Sequence, residues 1–284
     1  MANTRDIKRQ IVSVKNTQKV TKAMKMVSAA KMRKAVEAMN ATRTYSEKIR
    51  EVAASLSGQS KGESPFLKPK AEVKNIALIV VSSDRGLCGG FNSNINRLVL
   101  TFAEEHSDAS VKLFIVGKKA FDFFKRRNFS ILEKWIALGG KFTYDTAREI
   151  TGRVKQSFLE GVFDELYLVY NEFRSVAYQA AKLEKLLPLS FDATDGKEKV
   201  NYIFEPTACA LLDEIVPRYI DFSVYHALLE SGAGEHGARM VAMDNATRSA
   251  DDMIKKLVLN YNKARQQAIT MDLLDIVNGA EALK

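Results

Sequence analysis

The chain has 284 residues and is 46% hydrophobic, enough to bury one or two cores. No run approaches the roughly 18 apolar residues of a membrane-crossing helix, and the only cysteines, Cys88 and Cys209, point to a reducing compartment, not a disulfide framework. The net charge of +9 is uneven: residues 1–50 hold 13 Lys or Arg against 3 Asp or Glu, so all of the excess sits there, and such a segment usually meets something acidic.

Met1 leads directly into a helical pattern, with no leader ahead of it. Glycine is absent from residues 1–57 and proline from 1–64, which predicts one long helix over 1–57. Within it, Thr21–Ala35 carries five Lys or Arg, while its Ala, Met and Val positions leave no apolar gap wider than about 60° at ~100° per residue. An ordinary surface helix has one apolar stripe and one polar face. A helix apolar on every side and also cationic needs contacts all round. Ile7, Ile11, Val14, Val20, Met24 and Val27 follow a loose 3.5-residue period, the mark of a coiled-coil seam.

Residues 58–72, with two Gly and two Pro, read as a linker. The period then changes. Ile76–Val81 is a continuous apolar run of buried-strand type, followed by a helix over Asn92–Glu105. Strand Val111–Val116, helix Lys118–Arg126, strand Ile131–Ala137, helix Tyr144–Leu159 and strand Leu166–Tyr170 continue the alternation. Such βαβ repetition predicts a mainly parallel α/β sheet over 73–205, closing near Tyr202–Pro206.

From 206 to 284 the pattern is again helical. Met243, Thr247, Ala250, Ile254, Leu257, Tyr261, Ala264, Ala268 and Met271 alternate steps of four and three, a left-handed coiled-coil stripe. The natural partner of each long helix is the other, so an intramolecular antiparallel pair is expected. Three glycines within Glu230–Gly237, at roughly 1 kcal/mol each against Ala in an exposed helix, predict a soft or bent turn there. All nine Met lie at 1–39 or 240–271; flexible Met suits surfaces that accept several packing arrangements.

Ser82–Asn92, SSDRGLCGGFN, joins a strand to a helix with three glycines, a place where phosphate could sit. It matches neither the dinucleotide nor the P-loop fingerprint, and the next strand lacks the acid that would hold a ribose. A tight turn needing glycine's backbone freedom accounts for it better. His106, His226 and His236 lie near no cysteine pattern of a zinc site. No nucleophile elbow, H-E-x-x-H or Walker lysine occurs, so a binding or mechanical part is expected, with no catalytic, cofactor or metal site. Two other readings stay open: a basic coiled coil that binds nucleic acid, disfavoured because Met and Val interrupt the cations on every side, and a nucleotide-dependent enzyme built on the α/β domain.

Three blocks, IKRQIVSVKNTQKVTKAMKMVSAAKMRKA at 7–35, SSDRGLCGGFN at 82–92 and ARMVAMDNATRSADDMIKKLVLNYNKARQQAIT at 238–270, together with DIVNGAEAL at 275–283, resemble the γ subunits of bacterial F-type, proton-driven rotary ATP synthases. The resemblance covers essentially the whole chain. It implies a long antiparallel coiled coil with an inserted Rossmann-like, mainly parallel α/β domain. The coil would be a non-catalytic rotor shaft inside a ring of α and β subunits, and the inserted domain a foot on the membrane c-ring and the ε subunit. That places the chain peripherally at the cytoplasmic face of the inner membrane, with no cofactor and no nucleic acid. By the same resemblance, Met24 and Lys25 face acidic levers of the β subunits, Arg265 and Gln266 bond a β-subunit loop, and Tyr202, Phe204 and Glu205 meet the c-ring and ε. The family's chloroplast members carry an inserted dithiol switch, which is missing here.

Overall fold

The computed structural model describes residues 4–59, 64–70, 72–140, 142–189 and 207–281. Two long helices frame the chain: α1, Thr4–Gln59, and, at the other end, Ala208–Glu281. Between them lie β1 (Asn75–Val81), α2 (Phe91–Glu105), β2 (Ser110–Val116), α3 (Lys118–Lys125), β3 (Ser130–Trp135), α4 (Tyr144–Leu159), β4 (Glu165–Phe173) and β5 (Gln179–Leu187), so the C-terminal helix is α5. The architecture is that expected: a long antiparallel helix pair with an inserted, mainly parallel α/β domain. By packing, the chain forms two compact units, residues 1–28 with 240–284, and residues 29–239.

In the larger unit the sheet order is β3-β2-β1-β4-β5. The first four strands run parallel and β5 runs antiparallel to β4. The alternation of side chains along β1 sorts the core into two layers. Ile76, Leu78 and Val80 face Ile95, Val99 and Phe102 of α2 and Phe124 of α3. Ala77, Ile79 and Val81 belong to the other layer, with Ile150 and Val154 of α4, Val216, Ile220 and Leu228 of α5, and Leu56 of α1. Phe66, inside the predicted linker, is buried in this second layer, its ring stacked 5.8 Å from Phe158.

Strand β5 has no counterpart in the sequence reading. QAAKLEKLL is made of helix formers and contains no β-branched residue. Strand pairing with β4, from Phe173↔Gln179 to Leu166↔Leu187, overrides that preference. The turn between them is closed by reciprocal backbone bonds of Ser175 and Tyr178, at 3.1 and 3.2 Å.

The soft turn expected at Glu230–Gly237 is also corrected, because α5 is unbroken there. A Cβ on Gly232 would lie 3.1 Å from the Phe142 ring, and one on Gly234 would lie 3.3 Å from Gln179 and 3.4 Å from Phe91. These glycines let the helix lie close against the sheet domain, and the packing they permit offsets their low helix propensity. Gly117, between β2 and α3, is fixed for another reason. Its φ is +100°, and a Cβ there would come within 2.2 Å of the Ser82 carbonyl oxygen.

Polar anchors tie the layers together. The Asp164 carboxylate accepts from Lys70 Nζ at 2.7 Å and from the backbone N–H groups of Lys74 and Asn75. Burial pushes this carboxyl up, but Lys70 and the two amides outweigh it and hold it below its ordinary value. On α5, Asp221 pairs with Lys155 of α4 at 2.6 Å and accepts the hydroxyl of Thr151.

The smaller unit is the seam between the start of α1 and the second half of α5. The covered positions of α5 include the predicted stripe from Met243 through Thr247, Ala250, Ile254, Leu257 and Tyr261 to Ala264, with Asp244, Ala246 and Asp251 partly covered beside it. Ala268 and Met271 are exposed, as is every described residue from Arg265 on. The antiparallel register of Gln18 with Asp251 and Thr21 with Thr247 brings Thr4, the first described residue of α1, level with about Ala264, so no described residue of α1 faces these positions. On α1 the expected stripe is corrected more sharply. Ile7, Ile11, Val14 and Met24 are covered, but Val20 and Val27 are 58% and 56% exposed. A strict four-three rhythm from Ile7 passes through Gln18, Thr21, Lys25 and Ser28 instead, so polar groups occupy the seam.

Candidate functional site

Three cross-helix polar contacts follow one another up the seam. Gln18 Nε2 donates to Asp251 Oδ1 at 3.3 Å, the Thr21 and Thr247 hydroxyls meet at 2.8 Å, and Lys25 Nζ lies 2.5 Å from Asp244 Oδ1. Thr247 also lies 2.7 Å from the Met243 carbonyl oxygen. Thr21 Oγ1 also lies 3.0 Å from the Gln18 carbonyl oxygen, so the two hydroxyl protons serve two of these three contacts at a time. Lys25, with Arg248 beside it, holds the Asp244 carboxyl below its usual range. Replacing both partners by apolar groups of similar shape leaves no orphan. The double variant Thr21→Val, Thr247→Val is therefore expected to be neutral or stabilised by up to about 1 kcal/mol, read by thermal unfolding of the purified chain.

Because polar residues take the seam, the apolar residues of this stretch face outward. Val12, Val20, Met26 and Val27 are all more than half exposed, interleaved with exposed Lys15, Lys19 and Lys22. On α5, Met253, Leu259, Ile269, Met271, Leu273, Leu274, Ile276 and Val277 are at least half exposed as well. An apolar surface of this extent marks a contact surface. Mixed with cations, it suits a partner that is apolar in places and acidic in others.

The 82–92 loop is built as an anchor. Arg239 of α5 donates to the carbonyl oxygens of Arg85 and Gly86 and pairs with Glu235 at 2.7 Å. The loop thus turns carbonyls toward a buried cation, the reverse of the N–H groups a phosphate needs. Asn92 caps Ser83, accepting from its backbone N–H at 3.0 Å and donating to its hydroxyl at 2.8 Å. Asp84 takes the N–H groups of Lys118, Ala137 and Gly139. Cys88 is buried beside Ser83, and burial pushes its thiol up, away from the reactive thiolate.

A second polar cluster, which the sequence reading missed, lies between α1, α5 and the β4–β5 hairpin. It encloses a cavity of about 470 Å³ lined by Arg43, Glu172, Lys182, Glu184, His226 and Glu230, among others. His226 Nε2 lies 3.8 Å from Glu230 Oε1, and its Nδ1 lies 3.5 Å from the Thr42 hydroxyl. Burial, reinforced by the carboxylates of Glu172 and Glu184, pushes Glu230 up to about 7. The helical spacing of His226 and Glu230 is visible in the sequence, but the strand acids opposite them are not. Of the remaining histidines, His106 stacks on Phe102 and its Nδ1 lies 2.9 Å from the Phe102 carbonyl oxygen. His236 lies against Arg239, and burial with that cation pushes it down to about 4. No cluster of potential metal ligands occurs among the described residues.

Met24 and Lys25 are adjacent and partly exposed on α1, with Lys25 already paired within the chain. Arg265 and Gln266 are exposed on α5, about 30 Å along the helix from Asp244 at ~1.5 Å per residue. Tyr202, Phe204 and Glu205 lie outside the described residues. No helix among the described residues is long and apolar enough to cross a membrane.

Comparison with known proteins agrees with this geometry. The ATP synthase family profile matches residues 3–283. The chain is 47% identical to the ATP synthase gamma chain of Pelotomaculum thermopropionicum and 44% identical to that of Desulforamulus reducens, covering each chain completely. It superposes on a chain of the Tetrahymena thermophila mitochondrial ATP synthase central stalk and c-ring structure with a TM-score of 0.61 at 27% identity, covering 80% of this chain and 99% of that one. A chain of the Euglena gracilis mitochondrial ATP synthase shares the fold, with a TM-score of 0.70 at 20% identity, over 99% of this chain and 94% of that one. With the paired terminal helices, the inserted parallel sheet and full-length identity all in agreement, the chain belongs to the ATP synthase gamma-chain family.

Proposed function

We propose that the chain is the central-stalk rotor subunit of a bacterial proton-driven ATP synthase, coupling proton flow through the membrane c-ring to ATP synthesis or hydrolysis in the α/β head. It is itself non-catalytic. The observation that carries this reading is the helix pair whose seam holds polar contacts among its apolar residues while further apolar and cationic residues lie exposed on its outside. A shaft turning inside a sleeve needs contacts on every side and no single fixed partner. Contact sterics and screened charge attraction both meet that need. Rotation then permutes which surrounding subunit meets which face, and each face stabilises a different conformation.

Residues 1–57 and 206–284 serve as the coiled-coil shaft, 58–72 as a linker and 73–205 as the foot, whose partners are ε and the c-ring through Tyr202, Phe204 and Glu205. Met24 and Lys25 face acidic levers of the β subunits, and Arg265 with Gln266 meets a β-subunit loop. Lys25 must then exchange Asp244 for an outside carboxylate, an exchange open to it because its side chain is partly exposed. The chain sits peripherally on the cytoplasmic face of the inner membrane.

Co-expression with α and β subunits, followed by size analysis and an ATPase assay, tests the reading. A stable complex with rotation-dependent turnover is expected, and failure to associate overturns it. Arg265 is fully outside the helix seam, so Arg265→Ala is expected to leave folding within about 0.5 kcal/mol while weakening assembly or coupling in the reconstituted complex. Wild-type coupling at unchanged subunit ratios rules out its assigned contact.

A further inference from the structure

Inside the polar cavity beside the β4–β5 hairpin, the neighbours of His226 set which of its nitrogens holds the proton. Thr42 Oγ1 donates its one proton to the Met39 carbonyl oxygen at 2.8 Å, so toward His226 Nδ1, 3.5 Å away, it only accepts. A neutral His226 ring therefore carries its proton on Nδ1 and leaves Nε2 as a bare acceptor. That nitrogen faces Glu230 Oε1 at 3.8 Å, and the Glu230 side chain is 14% exposed. The cations around Glu230 are already engaged. On α1, Arg43 pairs with Glu47 at 3.0 Å, and Arg50 has interactions of its own. At the hairpin, Lys182 of β5 pairs with Glu184 at 2.8 Å, and Arg174, just past β4, pairs with Glu172 at 2.6 Å. The Tyr170 hydroxyl, another donor within reach of Glu230, is shared with Glu184 at 3.3 Å. Among the described residues, His226 is the ion-pair partner left to Glu230.

We propose that Glu230 and His226 share a single proton, and that losing it as the solution turns alkaline loosens the β4–β5 hairpin from the two long helices. With the proton present, the Glu230 O–H turns onto Nε2 and closes the 3.8 Å gap to a hydrogen bond. Without it, two acceptors face each other, and the new carboxylate meets those of Glu172 and Glu184. Both of these stand on the hairpin, so the repulsion falls there. Strand β5 gives way most readily, because it lies at the sheet edge with β4 as its one strand partner. Burial and the Glu172 carboxylate already favour the protonated acid, raising it to about 7, so the change falls close to neutrality. The two groups titrate as a pair, with the proton belonging to both.

Long-range proton–nitrogen NMR spectra of the full chain, which has three histidines, read the tautomer directly. His226 is expected as the Nδ1–H form, its Nε2 signal passing through an inflection near pH 7. Glu230→Gln keeps the shape and offers Nε2 an N–H at every pH, so the inflection should vanish. Thr42→Val removes the acceptor at Nδ1 and should shift the ring toward the Nε2–H form. Hydrogen exchange of the hairpin amides, corrected for the intrinsic effect of pH, reads the loosening. From about pH 6.5 to about pH 8, the wild type should lose roughly fourfold in protection relative to Glu230→Gln. Its hairpin amides should stay less protected than those of the central strand β1, which marks the opening as local. An Nε2–H tautomer in the wild type, no inflection or one that survives Glu230→Gln, or an unchanged tautomer in Thr42→Val overturns the shared proton. Hairpin protection that follows the same pH course in both proteins, or that equals that of β1, overturns the loosening.

Discussion

Arg239→Ala is expected to destabilise the purified chain by about 3–5 kcal/mol, the range for removing one partner of a buried ion pair. The guanidinium side chain is 9% exposed and is shared between Glu235 and the carbonyl oxygens of Arg85 and Gly86. Truncation leaves all three acceptors without their donor. Burial already raises the Glu235 carboxyl above its usual value against the pull of Arg239. Without that pull it takes up a proton, which caps the cost. The double variant Arg239→Ala, Glu235→Ala removes the orphaned acid and should recover at least about 1 kcal/mol. Denaturant unfolding of the wild type, both single variants and the double variant measures the coupling. A coupling near zero would mean that the loop carbonyls alone hold Arg239.

The second large effect is a pH dependence. Glu230, with a folded value of about 7 against about 4.5 when exposed, binds more protons folded than unfolded between those two values. Stability from this group is therefore intact below about pH 4.5, falls as pH rises, and levels off above about pH 7. The total loss is about 3 kcal/mol. His226 acts in the opposite sense. Burial holds it below its ordinary value, so its contribution is present above about pH 6.5 and lost as pH falls. Glu230→Gln isolates the first term: the variant should match the wild type near pH 4.5 and exceed it by up to about 3 kcal/mol at pH 8. Unfolding midpoints measured from pH 4.5 to 8 check this. A constant offset between the two proteins across that range would show that the carboxyl titrates normally.

Long-range rhythm was legible in α5 and only partly in α1. The absence of Gly and Pro marked α1 and the second half of α5, from Ala238 to Asn278, and the steps from Met243 to Ala264 marked the buried face of α5, because a helical period is a property of one segment alone. The four parallel strands were legible for the same reason, being short apolar runs between helices. Strand β5 was not, because an edge strand of helix formers exists only through its pairing with β4.

The candidate contact surface was half legible. A stretch apolar on every side and rich in Lys predicted contacts all round, yet the choice of Val20 and Val27 as seam residues put them on the wrong side. Apolar character selected them, whereas the seam is chosen by which residues the partner helix can satisfy. Thr21 enters because Thr247 stands opposite, and Gln18 because Asp251 does.

By itself, then, the sequence determined the long helices, the four parallel strands and their order, which follow from local period and residue type, while its motif blocks carried the family resemblance. Only the tertiary structure decided which polar residues pair across the helices, why Gly232 and Gly234 sit in an unbroken helix, and where Glu230 meets two further carboxylates. Those features depend on distances between segments far apart in the chain, and such distances are set when the layers pack.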